Sequence, residues 1–397
     1  MRRELPPLAV AALMATLLAL WQLWPAWTTP GPVLPCSALH PDCVALQWLL
    51  SWLTDRVIGG ELALDAPTLA NYWPVGDRPV LGGDGPLALL HLPFQVVLGW
   101  PRSLLPFVTA LLLANGLSGY ALARAFGAGR WASLLGLVVL GICPFAAEEL
   151  SAGRMSQALI APLALFLASW RWTLTTPRVV SAVLSGALLA LTSALYWYWG
   201  WMGVLAGAGV LAITLVEGKL SARMVHYTVF SAIFLTLIAP WASVFVAAWN
   251  GVPGVAGLTF PPPTAASDRL FSPLWAPAGA SPAAVSSLLS LPAVLLGAAA
   301  FTSKPTRTMA VGISILALCF VGLALGDQGG ASPYRLLYGL HPALQRFWWP
   351  IRHIAVVQML LAVLGSVGLH TLLAERSRAQ QVVGLGSALG LVIVGLG

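Results

Sequence analysis

Charge is what this 397-residue sequence has least of: Asp, Glu, Lys and Arg make up 8% of it, against 58% hydrophobic residues. A mean hydropathy of +0.85 excludes a string of soluble domains and reads as an all-α, polytopic transmembrane helix bundle. No basic run exceeds two residues, so the net charge of +7 is not a nucleic-acid surface and no nucleic-acid partner is expected. No phosphate loop ending in G-K-[ST] occurs, and Gly82-Gly-Asp-Gly85 reads as a turn. No second His stands at metal-ligand spacing from His353. Internal repeats are absent.

What is present is a succession of apolar runs. A spanning helix needs about 20 apolar residues, and runs near 6–27, 103–125, 131–147, 157–172, 178–197, 199–216, 224–248, 284–302, 308–326, 353–373 and 381–397 predict about eleven spans in a single transmembrane domain, 1–397. The first run, Leu5 to Trp27, is longer than a signal-peptide core and no A-x-A cleavage site follows it, so it reads as a retained signal-anchor. Pro86 to Trp100 is apolar but short, and reads as an interfacial or re-entrant helix. With a cytoplasmic N-terminus, 12 of the 20 basic residues fall in short inside segments with three acids; the net balance is +9 inside and −2 outside. This follows the positive-inside rule. Three long loops, 29–102, 249–283 and 327–352, then share the outer face with the shorter Glu148 to Ser156. The inner turns are too small for a nucleotide-driven pump.

Residues 29–102 hold six of the 13 acids, among them Asp42. Cys36 and Cys43 flank His40, Pro41 and Asp42; outside the cytoplasm they are either a disulfide or two free thiols. Val44, Trp48 and Trp52 share one face and Gln47, Ser51 and Asp55 another, so the spacing predicts an interfacial helix from Asp42 to Ile58. Asp42 at its start either complements the helix N-terminus or does chemistry. Glu148 and Glu149 are adjacent carboxylates near lipid and need a cation: a divalent metal, or Arg154 in a solvated loop end. Arg346, Trp348, Trp349, Arg352 and His353 precede the tenth span. They fit either an interfacial anchor or a cradle for a lipid phosphate, which arginine grips with two donors. Tyr196-Trp-Tyr-Trp-Gly-Trp201 reads as an aromatic belt. Cys143 and Cys319 lie within spans and read as packing residues.

Order and topology carry a resemblance. The first span, the loop with Asp42, Val44-Ala-Leu-Gln-Trp-Leu-Leu-Ser-Trp52 and Asn71-Tyr-Trp-Pro-Val-Gly76 resemble the start of the polytopic GT-C glycosyltransferases. Asn115-Gly-Leu-Ser-Gly-Tyr-Ala-Leu-Ala-Arg124, Pro144-Phe-Ala-Ala-Glu-Glu149 and Pro342-Ala-Leu-Gln-Arg-Phe-Trp-Trp-Pro-Ile-Arg352 are similar to further segments of bacterial members. The resemblance covers roughly 1–172 and 327–373.

It implies an inner-membrane enzyme that moves a sugar from a polyprenyl-phosphate donor at the periplasmic face, with inversion and Asp42 as general base. Arg352, with Arg346, Trp349 and His353 around it, is then the donor-phosphate residue. Glu148 and Glu149 approach the acceptor or a metal. The family often has a second acid beside the catalytic one, where this chain has Cys43; that departure weighs against a metal-assisted mechanism, and the cofactor stays open. Donor sugar and acceptor, whether glycan, lipid or protein, are not specified. The rival readings are a non-catalytic scaffold in cell-envelope assembly and a transporter or flippase of a lipid-linked glycan. Few ionisable residues lie mid-span, which disfavours the transporter.

Overall fold

The structure is a computed structural model describing residues 5–30, 36, 41–59, 85–250, 291–327, 332–340, 350–374, 384 and 386–388. Among these the regular structure is helical. The chain runs α1 (Leu5–Gln22), α2 (Trp24–Thr28), α3 (Pro41–Ile58), α4 (Gly85–Leu98), α5 (Leu104–Ala125), α6 (Ser133–Gly141), α7 (Pro144–Ser151), α8 (Met155–Ala158) and α9 (Ala161–Thr175). It continues through α10 (Val179–Leu195), α11 (Trp197–Val216), α12 (Met224–Asn250), α13 (Leu291–Ala298), α14 (Lys304–Ala324), α15 (Pro333–Leu340) and α16 (Ile354–Leu373). A 3-10 turn, Pro350–His353, leads into α16.

Among the described residues, seven stretches are long and apolar enough to cross a membrane: Leu104–Ala125, Ser133–Ser151, Met155–Thr175, Trp197–Val216, Met224–Ser243, Lys304–Ala324 and Pro350–Leu373. Pro7–Gln22, Pro86–Leu98, Val179–Leu195 and Pro292–Phe301 are shorter apolar helices. In lipid every backbone donor and acceptor must be satisfied within the protein, so apolar runs of this length become helices. Proline opens α7, α9 and α14 in the first turn, where its missing N–H costs nothing. Residues 251–283, Arg346, Trp348 and Trp349 lie outside the described residues, as does most of 381–397.

The centre of the bundle is α16, in which every residue from Ile354 to Leu369 is buried. It packs against α6, α13 and α14, while α5 packs against α6 and α9. A Cβ on Gly136 would lie 2.7 Å from Gly119 O and 3.1 Å from Ala123 Cβ. Small residues therefore let α5 and α6 touch backbone to backbone.

Between α8 and α9 the helix breaks at Leu159 and Ile160. The buried side chain of Asn115 in α5 takes up the freed groups: Nδ2 donates to Ala158 O at 2.8 Å, and Oδ1 accepts from the N–H groups of Ile160 and Ala161, each at 3.0 Å. One amide joins two helix ends and so fixes the C-terminal end of α8, whose N-cap residue is Arg154.

Candidate functional site

Four segments meet at one end of the bundle: the start of α3, the α7–α8 elbow, the α10–α11 turn and the 3-10 turn before α16. Asp42 is in the first turn of α3, and the disulfide Cys36–Cys43, with Cα atoms 5.9 Å apart, packs against Gln47, whose Nε2 is 3.0 Å from Cys43 Sγ. The α7–α8 elbow docks directly on this start. Gly153 has φ +81°, and a Cβ there would lie 2.6 Å from Cys43 N and 2.7 Å from its Cβ. Both the backbone conformation and the close approach require glycine. The next residue is Arg154.

The docking joins segments 112 residues apart: Arg154 Nε donates to Asp42 Oδ2 at 2.8 Å. Arg154 Nη1 donates to Glu149 Oε2 at 3.0 Å, and Glu149 Oε1 is 3.9 Å from Arg352 Nε. Arg352 in turn donates to the Tyr196 hydroxyl, and its guanidinium lies 5.2 and 5.3 Å from the ring centres of Tyr196 and Tyr198. The outcome is a chain of alternating charge, Asp42, Arg154, Glu149, Arg352, ending on two stacked tyrosines 5.0 Å apart.

Exposure falls steadily along it. The side chain of Asp42 is 49% exposed and that of Arg154 22%, whereas Glu149 and Arg352 are each 6% exposed. Burial works against the charge of Arg154, but its hydrogen bonds and attraction to Asp42 and Glu149 more than offset this and hold its pKa above the ordinary arginine value. The Asp42 end of the chain is open to solvent and the Arg352 end is enclosed.

Local structure explains each placement. Glu148 and Glu149 are successive on α7, about 100° apart around the axis, so Glu149 turns into the bundle and Glu148 is half-exposed. The two are not an equivalent pair. Among the described residues no group of three or more His, Cys, Asp or Glu side chains comes together, and both oxygens of Glu149 face guanidinium groups. A cation at Glu149 would have to displace an arginine.

Arg352, expected at an open membrane surface, is buried because the turn at Tyr196 between α10 and α11 lays aromatic faces on it. The belt reading of this aromatic cluster is corrected accordingly: Tyr198 and Trp199 are buried, and Trp199 Nε1 donates to Ser156 O at 3.2 Å. His353 is also buried, with Nδ1 2.8 Å from Pro350 O. Its ring packs edge-on to Tyr334, so it braces the 3-10 turn that carries Arg352. Arg346 and Trp349 lie outside the described residues.

Sequence reasoning missed Tyr196 as a partner of Arg352 and saw Arg154 only as a neighbour of the glutamates. A tyrosine at a helix-to-helix turn is the one signal that could have pointed to Tyr196.

No protein-family model matches the chain, and no curated protein matches it by sequence. Among solved structures it is similar to the apo oligosaccharyltransferase of Archaeoglobus fulgidus, with 14% identity and a TM-score of 0.55 over 99% of this chain and 55% of that one. It is also similar to the arabinofuranosyltransferase AftD from Mycobacteria, with 18% identity and a TM-score of 0.45 over 100% of this chain and 27% of that one. The chain thus spans about half the length of the oligosaccharyltransferase. At such identity the likeness is one of fold. The fold is all-α, polytopic and GT-C-like.

Proposed function

We propose that this integral membrane protein is a glycosyltransferase that moves a sugar from a polyprenyl-phosphate donor to an acceptor hydroxyl at the outer, periplasmic face of the membrane. The observation that carries the reading is the half-exposed Asp42 carboxylate, held by Arg154 at the start of a loop helix within a GT-C-like bundle. Fixing one oxygen to Arg154 orients the other for proton transfer. As the acceptor oxygen attacks the anomeric carbon, its proton passes to Asp42, a transfer commonly worth about 10² to 10⁴ in rate. The bond from that carbon to the phosphate oxygen breaks and leaves its electron pair on the phosphate. Attack from the side opposite the phosphate inverts the centre.

A departing lipid phosphate needs preorganised positive charge. Arg154 is the more accessible guanidinium and Arg352 the deeper one, and Glu149 holds the two in line. Arg352 acts here as a positioning residue for Arg154, through the Glu149 carboxylate between them, with His353 bracing its turn. The family resemblance alone assigns Arg346 and Trp349 to the donor, and it gives Glu148, half-exposed beside Glu149, to the acceptor.

A second reading is favoured by the same ion-pair chain, because a closed latch of two carboxylates and two arginines would also serve a non-catalytic scaffold. Lipid mass spectrometry on the protein purified in mild detergent separates them. Wild type is expected to carry a polyprenyl phosphate or its glycoside, depleted in Arg352→Ala, and Asp42→Asn is expected to retain the lipid but not to turn it over. Full transfer by Asp42→Asn would end the catalytic assignment, and bulk phospholipid alone in every sample would favour the scaffold.

A further inference from the structure

At the other end of the bundle two helices enclose a groove. Helix α11 starts beside Tyr196 and its 20 residues carry it about 30 Å to Val216. Helix α14 runs antiparallel to it. Its late residue Phe320 meets His353, with ring centres 6.0 Å apart, so its first residues, Lys304 and Arg307, lie at the end remote from Asp42.

The register is set where a Cβ on Gly312 would lie 2.8 Å from Ile213 Cγ1 and one on Gly209 2.7 Å from Leu316 Cδ2. Beside this line of contact is a groove of about 500 Å³, with Val216, Val311, Ile315 and Cys319 along it and Arg307 and Thr308 at its mouth. That volume suits one ligand, single sites running roughly 300–1,000 Å³.

Direction and depth identify the ligand class. From Arg307 to Cys319 the helix rises about 18 Å, close to one leaflet of a hydrocarbon core about 30 Å thick. The mouth is cationic: Lys304 and Arg307 are both exposed, and Arg307 Nε donates to Phe301 O at 3.0 Å, which anchors its guanidinium there. The acid following α11, Glu217, is already paired with Arg171 at 2.5 Å and Lys219 at 2.6 Å.

We infer that this groove binds one glycerophospholipid with an anionic headgroup. One acyl chain lies between α11 and α14, and the headgroup phosphate meets Arg307 and Lys304, with the Thr308 hydroxyl as a further donor. A zwitterionic lipid brings the same chain but no net charge for the mouth, so the site discriminates by headgroup. The site is separate from the reaction proposed for Asp42 and stands whether or not that reaction occurs.

The test is native mass spectrometry of the full chain released from nanodiscs of equal phosphatidylglycerol and phosphatidylcholine. Wild type is expected to retain one phosphatidylglycerol in preference. With about fivefold per basic residue near the surface, Arg307→Ala lowers the preference about fivefold, and Arg307→Ala with Lys304→Ala about thirtyfold. Both positions are exposed, so these variants keep the fold. Ala212→Trp, at an exposed position in the groove, removes the bound lipid of either class. Equal retention of the two lipids, unchanged in the basic-residue variants, overturns the inference. So does a dimer abolished by Ala212→Trp, which would put a second copy in the groove, or a polyprenyl phosphate displaced by that substitution.

Discussion

Replacing Glu149 by Gln is the most informative perturbation of the charge chain. Glu149 and Arg352 are each 6% exposed and approach to 3.9 Å, so removing the carboxylate takes from a buried guanidinium the stronger of its attractions to Glu149 and Asp42. Breaking a buried pair in this way costs about 3–5 kcal/mol. The two tyrosine rings face Arg352 before and after the change, so they cancel in the comparison, and the loss expected stays at about 3–5 kcal/mol. Asp42→Asn breaks a bridge whose acid is 49% exposed, and solvent screening holds its cost below about 1 kcal/mol.

Equilibrium unfolding in mixed micelles measures both. Pairing Glu149→Gln with Arg352→Met should cost at least about 1 kcal/mol less than the sum of the single changes, because the second change removes the stranded charge. If Asp42→Asn costs as much as Glu149→Gln, or if the double change is additive, the burial gradient along the chain is not what organises this site.

Three further outcomes are expected. Gly153→Ala places a side chain at φ +81° and against the Cys43 backbone; the left-handed conformation alone costs roughly 1–2 kcal/mol, and a thermal melt unchanged from wild type would refute the docking. Asn115→Ala strands two N–H groups and one carbonyl at the α8–α9 break, a loss of about 2–5 kcal/mol that unfolding in the same micelles would register. Reducing Cys36–Cys43 removes about 2.5 kcal/mol on the loop-entropy account. A reductant should lower the melting temperature of wild type but not of the Cys36→Ser, Cys43→Ser double variant.

The sequence by itself determined that this chain is a bundle of membrane helices and where most of them lie. Hydrocarbon solvates no backbone polar group, so a long apolar run has one stable conformation, and run length is visible in a sequence. The helix at Asp42 was legible for a similar reason, since α3 lies outside the long apolar runs and its polar and apolar faces alternate with helical period. Facing within the bundle was not legible. Lipid is as apolar as the protein interior, so α16, buried from Ile354 to Leu369, and α12, with exposed Leu235 and Leu237, read alike in hydropathy. For that reason Glu148 and Glu149 looked equivalent, and Tyr198 and Trp199 looked like a belt. Tertiary structure decided that Gly153 lets the elbow reach Cys43, that Arg154 thereby meets Asp42, and that Arg352 is enclosed by Tyr196, 156 residues away. These pairings depend on the close approach of helix ends, which no local pattern of residues encodes.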